Sequence, residues 1–347
     1  MKTINWISNK NIDVKIIDEF LKLSINNNQF TNYGPNVKYL EKYLKEILEI
    51  ENDKSIICVA NASLGIQCLS SAIELKENKK IKWATQSFTF PSSCQGTLKD
   101  TKIIDIDKEG GLDLKKVGKN INGIIVTNIF GNVVNIDKYI NWAKINNKYL
   151  IFDNAASSYT FYKGKNAINY GIGSIISFHH TKPFGFGEGG AIIVDNKYEN
   201  EVRKLTNFGI NYNDDEYFLR EGNNYKMSDI SAVYIIQYLK NNYKNIIEKH
   251  INLYNYFKEK SKNNKKYKLF ISFNDKKIVI SCFCIVFKKY NDNIRLKLIE
   301  NNIFCRKYYF PLKKTKNSIN IFNNILCIPC NIDMKNSDID RIIEFIK

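Results

Sequence analysis

Residues 177–190, SFHHTKPFGFGEGG, place one lysine, Lys182, among four glycines and between two apolar runs. Glycine at this density indicates that the backbone passes close to another group or adopts a positive φ, and a binding site imposes both demands. The chemistry that a lysine amine offers at such a site is a Schiff base with a carbonyl compound. Most lysines lie in solvent, however, so this loop indicates a site only together with other groups.

Two further segments offer such groups. Asn61, Ala62 and Ser63 begin a predicted helix directly after a predicted strand, where free N–H groups and the helix dipole can hold a phosphate. Asp153 closes the apolar run YLIFD and places a carboxylate at the end of a strand. Taken alone, each feature is explained equally well by a simpler role, Asn61 or Ser63 as a helix cap and Asp153 as a cap or turn residue.

The first 240 residues alternate apolar runs typical of strands with segments of helical periodicity. The predicted strands are residues 55–60, 81–84, 101–107, 123–131, 149–155, 174–178 and 191–194, and the predicted helices are residues 37–50, 61–75, 91–99, 136–147 and 222–240. This alternation specifies a parallel α/β sheet, in which ligands lie outside the carboxyl ends of the strands. Asn61, Asp153 and Lys182 all fall at that edge. A phosphate site, a carboxylate and a loop lysine are the groups needed to bind pyridoxal phosphate as a Schiff base.

The pattern changes near residue 240. A strand within residues 277–287 and two short helices, near residues 293–302 and 336–347, predict a smaller α+β domain. We therefore predict two domains, residues 1–240 and residues 241–347, with an N-terminal segment that can pack against the second.

Composition excludes some classes of protein. A hydrophobic content of 44% in 347 residues is enough for a large core, and the sequence shows neither a run long enough to cross a membrane nor the features of a signal peptide. We expect a soluble, cytoplasmic protein. The net charge of +17 could indicate nucleic-acid binding, but the lysines are scattered and no recognised binding motif accompanies them.

The eight cysteines raise the question of a metal site. The CxxC spacing occurs once, at Cys327 and Cys330, and a zinc site would need two more ligands. The histidines available are His179, His180 and His250. Because cysteine packs well as a small apolar residue, we predict buried free thiols and no metal.

Eight segments, in order along nearly the whole chain, resemble the DegT class of pyridoxal-phosphate-dependent nucleotide-sugar aminotransferases. They are residues 30–44, 61–67, 86–92, 153–157, 177–190, 222–232, 306–312 and 326–334. The resemblance implies an α/β fold of the aspartate aminotransferase type (fold type I). In that fold a large domain with a mixed, mostly parallel sheet carries a smaller C-terminal domain. It also implies pyridoxal 5'-phosphate as cofactor, converted to pyridoxamine 5'-phosphate in the half-reaction.

The same resemblance implies roles for individual residues. Lys182 would bind the cofactor covalently, Asp153 would face the pyridine nitrogen, and Phe90 would lie against the ring. The phosphate would be held by Ala62, Ser63 and Ser177. Asn224 would reach the cofactor phosphate of a neighbouring subunit, which implies a homodimer with shared active sites.

One position departs from the family pattern. Members usually carry Gln or His three residues after the aspartate, where this chain has Ala156. That side chain normally helps to seat the ring, and Asn154 or Ser157 are candidates to replace it. Relatives that act as dehydratases replace the lysine with histidine, so the presence of Lys182 favours amino transfer.

The implied reaction transfers an amino group from L-glutamate to a ketone on a nucleotide-linked deoxysugar. Our leading hypothesis is dTDP-4-keto-6-deoxy-D-glucose, giving dTDP-4-amino-4,6-dideoxyglucose; amination at carbon 3 and a non-catalytic, cofactor-binding regulatory protein are the alternatives. Substrate contacts are predicted for two pairs of residues, His179 with His180 and Arg306 with Tyr308. A packing role for the histidines and a structural strand edge at Arg306 are equally good interpretations.

Overall fold

The computed structural model describes residues 2–212, 217–270, 273 and 275–347. Its helices are α1 Val14–Asn26, α2 Pro35–Ile47, α3 Ala62–Lys76, α4 Ile136–Asn146, α5 Glu199–Thr206, α6 Asp229–Ser261, α7 Asn293–Glu300, α8 Lys316–Asn324 and α9 Asn336–Ile346. Its strands are β1 Lys54–Val59, β2 Trp83–Gln86, β3 Lys102–Ile104, β4 Gly123–Thr127, β5 Tyr149–Asp153, β6 Phe161–Tyr162, β7 Lys165–Asn166, β8 Gly173–Ser177, β9 Gly190–Asp195, β10 Tyr267–Leu269, β11 Cys282–Phe287 and β12 Ile325–Pro329.

The large sheet is mixed and mostly parallel, as predicted. Within the described residues its strand order is β1-β9-β8-β5-β4-β2-β3. β9 runs antiparallel to both of its neighbours, and the other pairs are parallel. The carboxyl ends of β4 and β5 are in register, with Thr127 opposite Asp153. This register brings the end of β5 to the sheet edge where ligands bind in such folds.

Helices cover both faces of this sheet, which explains why its strands read as continuous apolar runs. On one face Ile56 and Cys58 of β1 pack with α2 and α6, while α4 packs over β4 and β5. On the other face Ile57 and Val59 pack with α3 and α5. Adjacent residues of one strand therefore enter opposite cores, as the two-residue period of a strand requires.

The smaller sheet is antiparallel and lies in the C-terminal part of the chain, with the order β10-β11-β12. Its core includes residues of α7, α9 and the C-terminal half of α6, and Ile4 joins it through a bridge to Ile303. The N-terminal segment thus packs against C-terminal residues. The predicted boundary at residue 240 lies inside α6, and the division into residues 1–240 and 241–347 stays a prediction.

Two predicted helices differ from the structure. The helix predicted at 91–99 is wrong: two 3₁₀ turns, Pro91–Cys94 and Gly96–Leu98, occupy this segment. They are separate because Gln95 is extended and Gly96 has a φ of +58°. The helix predicted at 222–240 is α6, which begins at Asp229 and ends at Ser261. It begins there because Ser228 caps its first turn by accepting from the Ser231 N–H. No helix in the described ranges has the length and apolar character needed to cross a membrane.

Candidate active site

A cavity of about 760 Å³ opens at the carboxyl edge of the large sheet. It brings together nine of the predicted site residues: Ala62, Ser63, Phe90, Asp153, Ser177, His179, Lys182, Arg306 and Tyr308. Among the described residues that line it, His180 and Asn224 are not found. The wall also contains residues that the sequence did not reveal, namely Trp6, Thr89, Ser92, Asn128, Phe130, Glu188, Ser281, Cys282, Tyr309 and Phe310.

Lys182 lies on the tight connection between β8 and β9. The Lys182 N–H donates to the His179 carbonyl at 2.8 Å, and the Gly185 N–H donates to the Lys182 carbonyl at 3.0 Å. A Cβ atom at Gly185 would lie only 2.0 Å from the His179 oxygen, so the turn requires glycine there. The glycine density that marked this loop in the sequence therefore has a steric cause.

Lys182 and Asp153 are buried ionisable groups that act on each other. Burial lowers the pKa of Lys182, and the negative charge of Asp153 opposes that shift. Burial likewise raises the pKa of Asp153, which is 3% exposed. The Ala155 N–H, the positive charge of Lys182 and the Thr127 hydroxyl oppose this shift. The Asp153 carboxylate accepts from the Ala155 N–H at 3.0 Å, which holds it at the end of β5.

The amino terminus of α3 forms another wall of the cavity. Asn61 is the N-cap, and its side chain accepts from the Leu64 N–H at 2.9 Å, so the capping interpretation of Asn61 is correct. Ser63 lies in the first turn, and its hydroxyl is 2.6 Å from that of Ser92. A Cβ atom at Gly190 would approach the Ala62 nitrogen to 2.5 Å. Glycine at the start of β9 therefore allows that strand to pass directly beside the helix terminus.

Aromatic residues form the wall that faces outward. Phe90 is 52% exposed and meets Tyr309 edge-on, with ring centroids 6.2 Å apart. Tyr309 stacks on Phe130 at 4.8 Å. Arg306 lies 5.2 Å from the Trp6 ring, and its guanidinium donates to the Tyr308 hydroxyl at 2.6 Å. Trp6 was missed because this contact joins opposite ends of the chain.

Ala156 lines the cavity at the position where the family carries a larger polar side chain. The two candidates to replace it point elsewhere. The Asn154 amide donates to the Ser174 hydroxyl at 2.7 Å, and the Ser157 hydroxyl donates to the Asn128 carbonyl at 2.9 Å. Neither residue is part of the described cavity wall, whereas Asn128 is.

Of the remaining predicted contact residues, His179 lines the cavity, whereas His180 and Asn224 do not. The Nδ1 of His179 is 2.8 Å from the Thr181 hydroxyl, and its Nε2 is 3.5 Å from Glu188 at the cavity wall. His180 instead packs edge-on against Phe186. Asn224 is exposed and forms a bridge to Asn207, away from the cavity of its own chain.

The cysteine cluster is not the one that the CxxC spacing suggested. Cys282 lines the cavity, its sulfur is 3.4 Å from that of Cys284, and the Cys284 sulfur is 4.0 Å from that of Cys327. Burial raises the pKa of both Cys282 and Cys284. All eight cysteines are free, although these three sulfurs are close enough to hold a metal ion. The absence of a metal stays a prediction.

The arrangement suits pyridoxal phosphate. A buried amine and a buried carboxylate share one cavity, and a helix terminus beside them offers N–H groups to a phosphate. Any larger residue at Gly190 would collide with the Ala62 nitrogen and displace that terminus from the cavity wall. The residues present therefore fit the cofactor.

Comparison with known proteins agrees with this chemistry. Residues 11–347 match the DegT/DnrJ/EryC1/StrS aminotransferase family. A dTDP-4-amino-4,6-dideoxy-D-glucose transaminase of Shigella dysenteriae is 25% identical over 354 aligned positions, covering 94% of each chain. A UDP-4-amino-4,6-dideoxy-N-acetyl-beta-L-altrosamine transaminase of Campylobacter jejuni is 30% identical over 247 residues, which cover 67% of this chain and 63% of that one.

Solved structures share the fold. PseC of Helicobacter pylori, an aminotransferase involved in the biosynthesis of pseudoaminic acid, superposes with a TM-score of 0.85 at 16% identity over 99% of this chain and 98% of that one. DesI, solved in the presence of its TDP-sugar product, gives a TM-score of 0.83 at 19% identity over 100% and 92%. The chain belongs to the DegT/DnrJ/EryC1/StrS aminotransferase family and is a pyridoxal-phosphate-dependent sugar aminotransferase.

Proposed function

We propose that this enzyme transfers the amino group of L-glutamate to carbon 4 of a dTDP-linked 4-keto-6-deoxyhexose. The proposed substrate is dTDP-4-keto-6-deoxy-D-glucose, and the product is dTDP-4-amino-4,6-dideoxyglucose. The observation that carries the reaction type is the buried pair of Lys182 and Asp153 in one cavity with the amino terminus of α3.

The relatives support carbon 4 more strongly than they support one nucleotide. The transaminases from Shigella dysenteriae and Campylobacter jejuni are both named for a 4-amino-4,6-dideoxy sugar. The sugar in the first name is linked to dTDP, and the sugar in the second is linked to UDP. The match that covers 94% of both chains is the dTDP enzyme, which is why we propose dTDP.

Different residues of the chain would bind the cofactor and keep its ring nitrogen protonated. Pyridoxal phosphate, when bound, supplies the ring that accepts the electron pair left when a proton leaves the substrate carbon. Ala62, Ser63 and Ser177 would hold its phosphate, and Phe90 would lie against the ring. The Asp153 carboxylate would keep the pyridine nitrogen protonated, because a nearby negative charge favours the cationic form.

Lys182 would first anchor the cofactor and then move protons. Its burial favours the neutral amine, and a neutral amine is the form that can accept a proton from the substrate carbon.

The proposal includes a homodimer in which each cavity receives Asn224 of the partner subunit. Two observations support it: Asn224 is exposed and lies outside the cavity of its own chain, and the segments bridged around it, residues 207–212 and 217–224, expose large apolar side chains. These exposed residues are Phe208, Tyr217 and Phe218. An interface that covered them would remove apolar surface from water.

The test is product identification with a panel of sugars. The enzyme is incubated with L-glutamate and with dTDP-, UDP- and GDP-linked 4-keto and 3-keto deoxysugars, and products are identified by mass and NMR. We expect the 4-amino dTDP sugar to form fastest and the Lys182→Ala variant to form none. A product aminated at carbon 3, or faster turnover of a UDP or GDP sugar, would overturn the specific proposal.

A further inference from the structure

Lys10 makes an unusual contact with the loop that carries Lys182. Its ammonium group donates to the backbone carbonyls of His180 at 2.7 Å and Lys182 at 2.9 Å, and also to the carbonyl of Gly185. The three acceptors lie within six consecutive residues. A lysine ammonium has three N–H donors, so this one loop accepts all of them.

The environment of Lys10 favours this geometry over a contact with solvent. The side chain is half-buried, and its ammonium lies over the ring of Tyr238 at 4.8 Å. The Tyr238 hydroxyl donates to the Pro183 carbonyl at 3.2 Å, so two side chains hold four carbonyls of the same loop. Burial lowers the pKa of Lys10 to about 7, whereas the carbonyl oxygens favour the protonated form because they can only accept.

The backbone on either side of Lys10 is also fixed. The Asn9 N–H donates to the Asp333 carboxylate at 2.7 Å, and the Asp13 N–H donates to the Gln237 side chain at 3.0 Å. The ammonium is therefore delivered from an anchored segment. Without it, three carbonyl dipoles would face one another with no cation between them, and the loop would have to rotate at least one of them away.

We propose that Lys10 is a positioning residue that holds the loop carrying Lys182 in the conformation from which its amine reaches the cofactor. This inference rests on the proposed role of Lys182. Lys10 itself does not line the cavity that would hold the cofactor and the substrate. It acts through the backbone oxygens of residues 180, 182 and 185.

The test compares Lys10→Met, which keeps the length of the side chain and removes the donors, with Lys15→Met as control. Lys15 is exposed on α1, five residues along the chain. In the holoenzyme, we expect Lys10→Met to speed hydrogen exchange at residues 182–187 at least tenfold and to speed cofactor release on dilution by a similar factor. The kcat should fall while the KM for L-glutamate changes less than twofold.

Equal exchange and release rates in wild type and Lys10→Met would overturn the inference, and so would a loss of protection spread evenly over the whole chain. If Lys10→Met does not fold, Lys10→Arg serves instead, because a planar guanidinium cannot direct its N–H groups at the same three oxygens. An Arg variant with unchanged exchange and release would overturn it too. Borohydride reduction and peptide mapping of the wild type test Lys182 separately, since an adduct elsewhere would refute its role whatever Lys10 does.

Discussion

The two walls of the cavity are built differently. The inner wall, at the carboxyl edge of the large sheet, contains Asp153, Lys182 and the first turn of α3, and its groups are held by short-range backbone contacts. The outer wall contains Trp6, Arg306 and residues 308–310, which come from both ends of the chain. Phe310 on this wall is 78% exposed, whereas Asp153 on the inner wall is 3% exposed.

We propose that this difference separates the chemistry of the reaction from recognition of the sugar nucleotide. Buried ionisable groups on a rigid sheet can hold a cofactor in one orientation and keep shifted pKa values. An exposed wall of aromatic rings and one guanidinium instead offers stacking and charge to a nucleotide. Changes on the inner wall should therefore reduce kcat, and changes on the outer wall should mainly raise the KM for the sugar nucleotide.

The largest effect is expected at Lys182. Because we propose Lys182 as both the covalent anchor and the proton-transfer group, we expect kcat of Lys182→Ala to fall by about 10³-fold or more. The measurement is single-turnover reaction with L-glutamate, followed by the visible absorption of the cofactor. Lys204→Ala, a lysine of α5 whose ammonium contacts Asn211, is the control and should react normally. Undiminished turnover in Lys182→Ala would show that the reaction does not depend on the inner wall.

The next effect is expected at Asp153. Asp153→Asn keeps the shape but removes the negative charge, so the pyridine nitrogen would lose its proton more readily and kcat should fall on the order of 100-fold. The KM for the sugar nucleotide should change little. If instead KM rose and kcat stayed constant, the assignment of chemistry to the inner wall and recognition to the outer wall would be wrong.

The inner wall was predictable because its signals are local. Lys182 among glycines, Asp153 after an apolar run and Asn61 at a strand-to-helix junction each fall within a few residues of sequence. The steric contacts at Gly185 and Gly190 explain why those glycines are needed. The false helix at 91–99 shows the limit of local patterns, because the extended Gln95 and the left-handed Gly96 break it.

The outer wall was only partly predictable. Arg306 and Tyr308 were found through the family resemblance, but Trp6 was not, and neither was Lys10, which contacts the loop of Lys182 from outside the cavity wall. Their contacts join the first ten residues to residues 306–308 and 180–185. Such contacts depend on how distant elements pack, and neither periodicity nor spacing within one segment carries that information.

Acid should weaken the packing of α6 against the smaller sheet through His250. This residue of α6 is 1% exposed, and its Nδ1 is 3.5 Å from the sulfur of Cys330, which follows β12. Burial lowers the pKa of His250 from 6.5 to about 4. The folded state therefore binds fewer protons than the unfolded state between these values, so stability is fully present above pH 6.5 and is lost as the pH falls towards 4.

The shift predicts a loss of about 3 kcal/mol in the free energy of unfolding across that range. Urea unfolding at several pH values measures it, and hydrogen exchange should show the loss first in β11, β12 and α6. His250→Gln should unfold with a much weaker dependence on pH in this window. An unchanged slope in that variant would assign the acid sensitivity to another group.

The smallest effect is expected at Trp6, where the outer wall can be tested without disturbing the chemistry. Trp6→Ala removes a ring that meets Arg306 at 5.2 Å and Tyr308 at 6.0 Å. Aromatic contacts of this kind contribute about 1 kcal/mol, so the KM for the sugar nucleotide should rise about fivefold. Trp6→Phe keeps an aromatic face and should recover most of the affinity.

The half-reaction with L-glutamate is the internal control: it should proceed at the wild-type rate in both variants, because no nucleotide takes part in it. If Trp6→Ala slows that half-reaction as much as the full reaction, Trp6 supports the inner wall rather than recognition, and the two walls do not act independently.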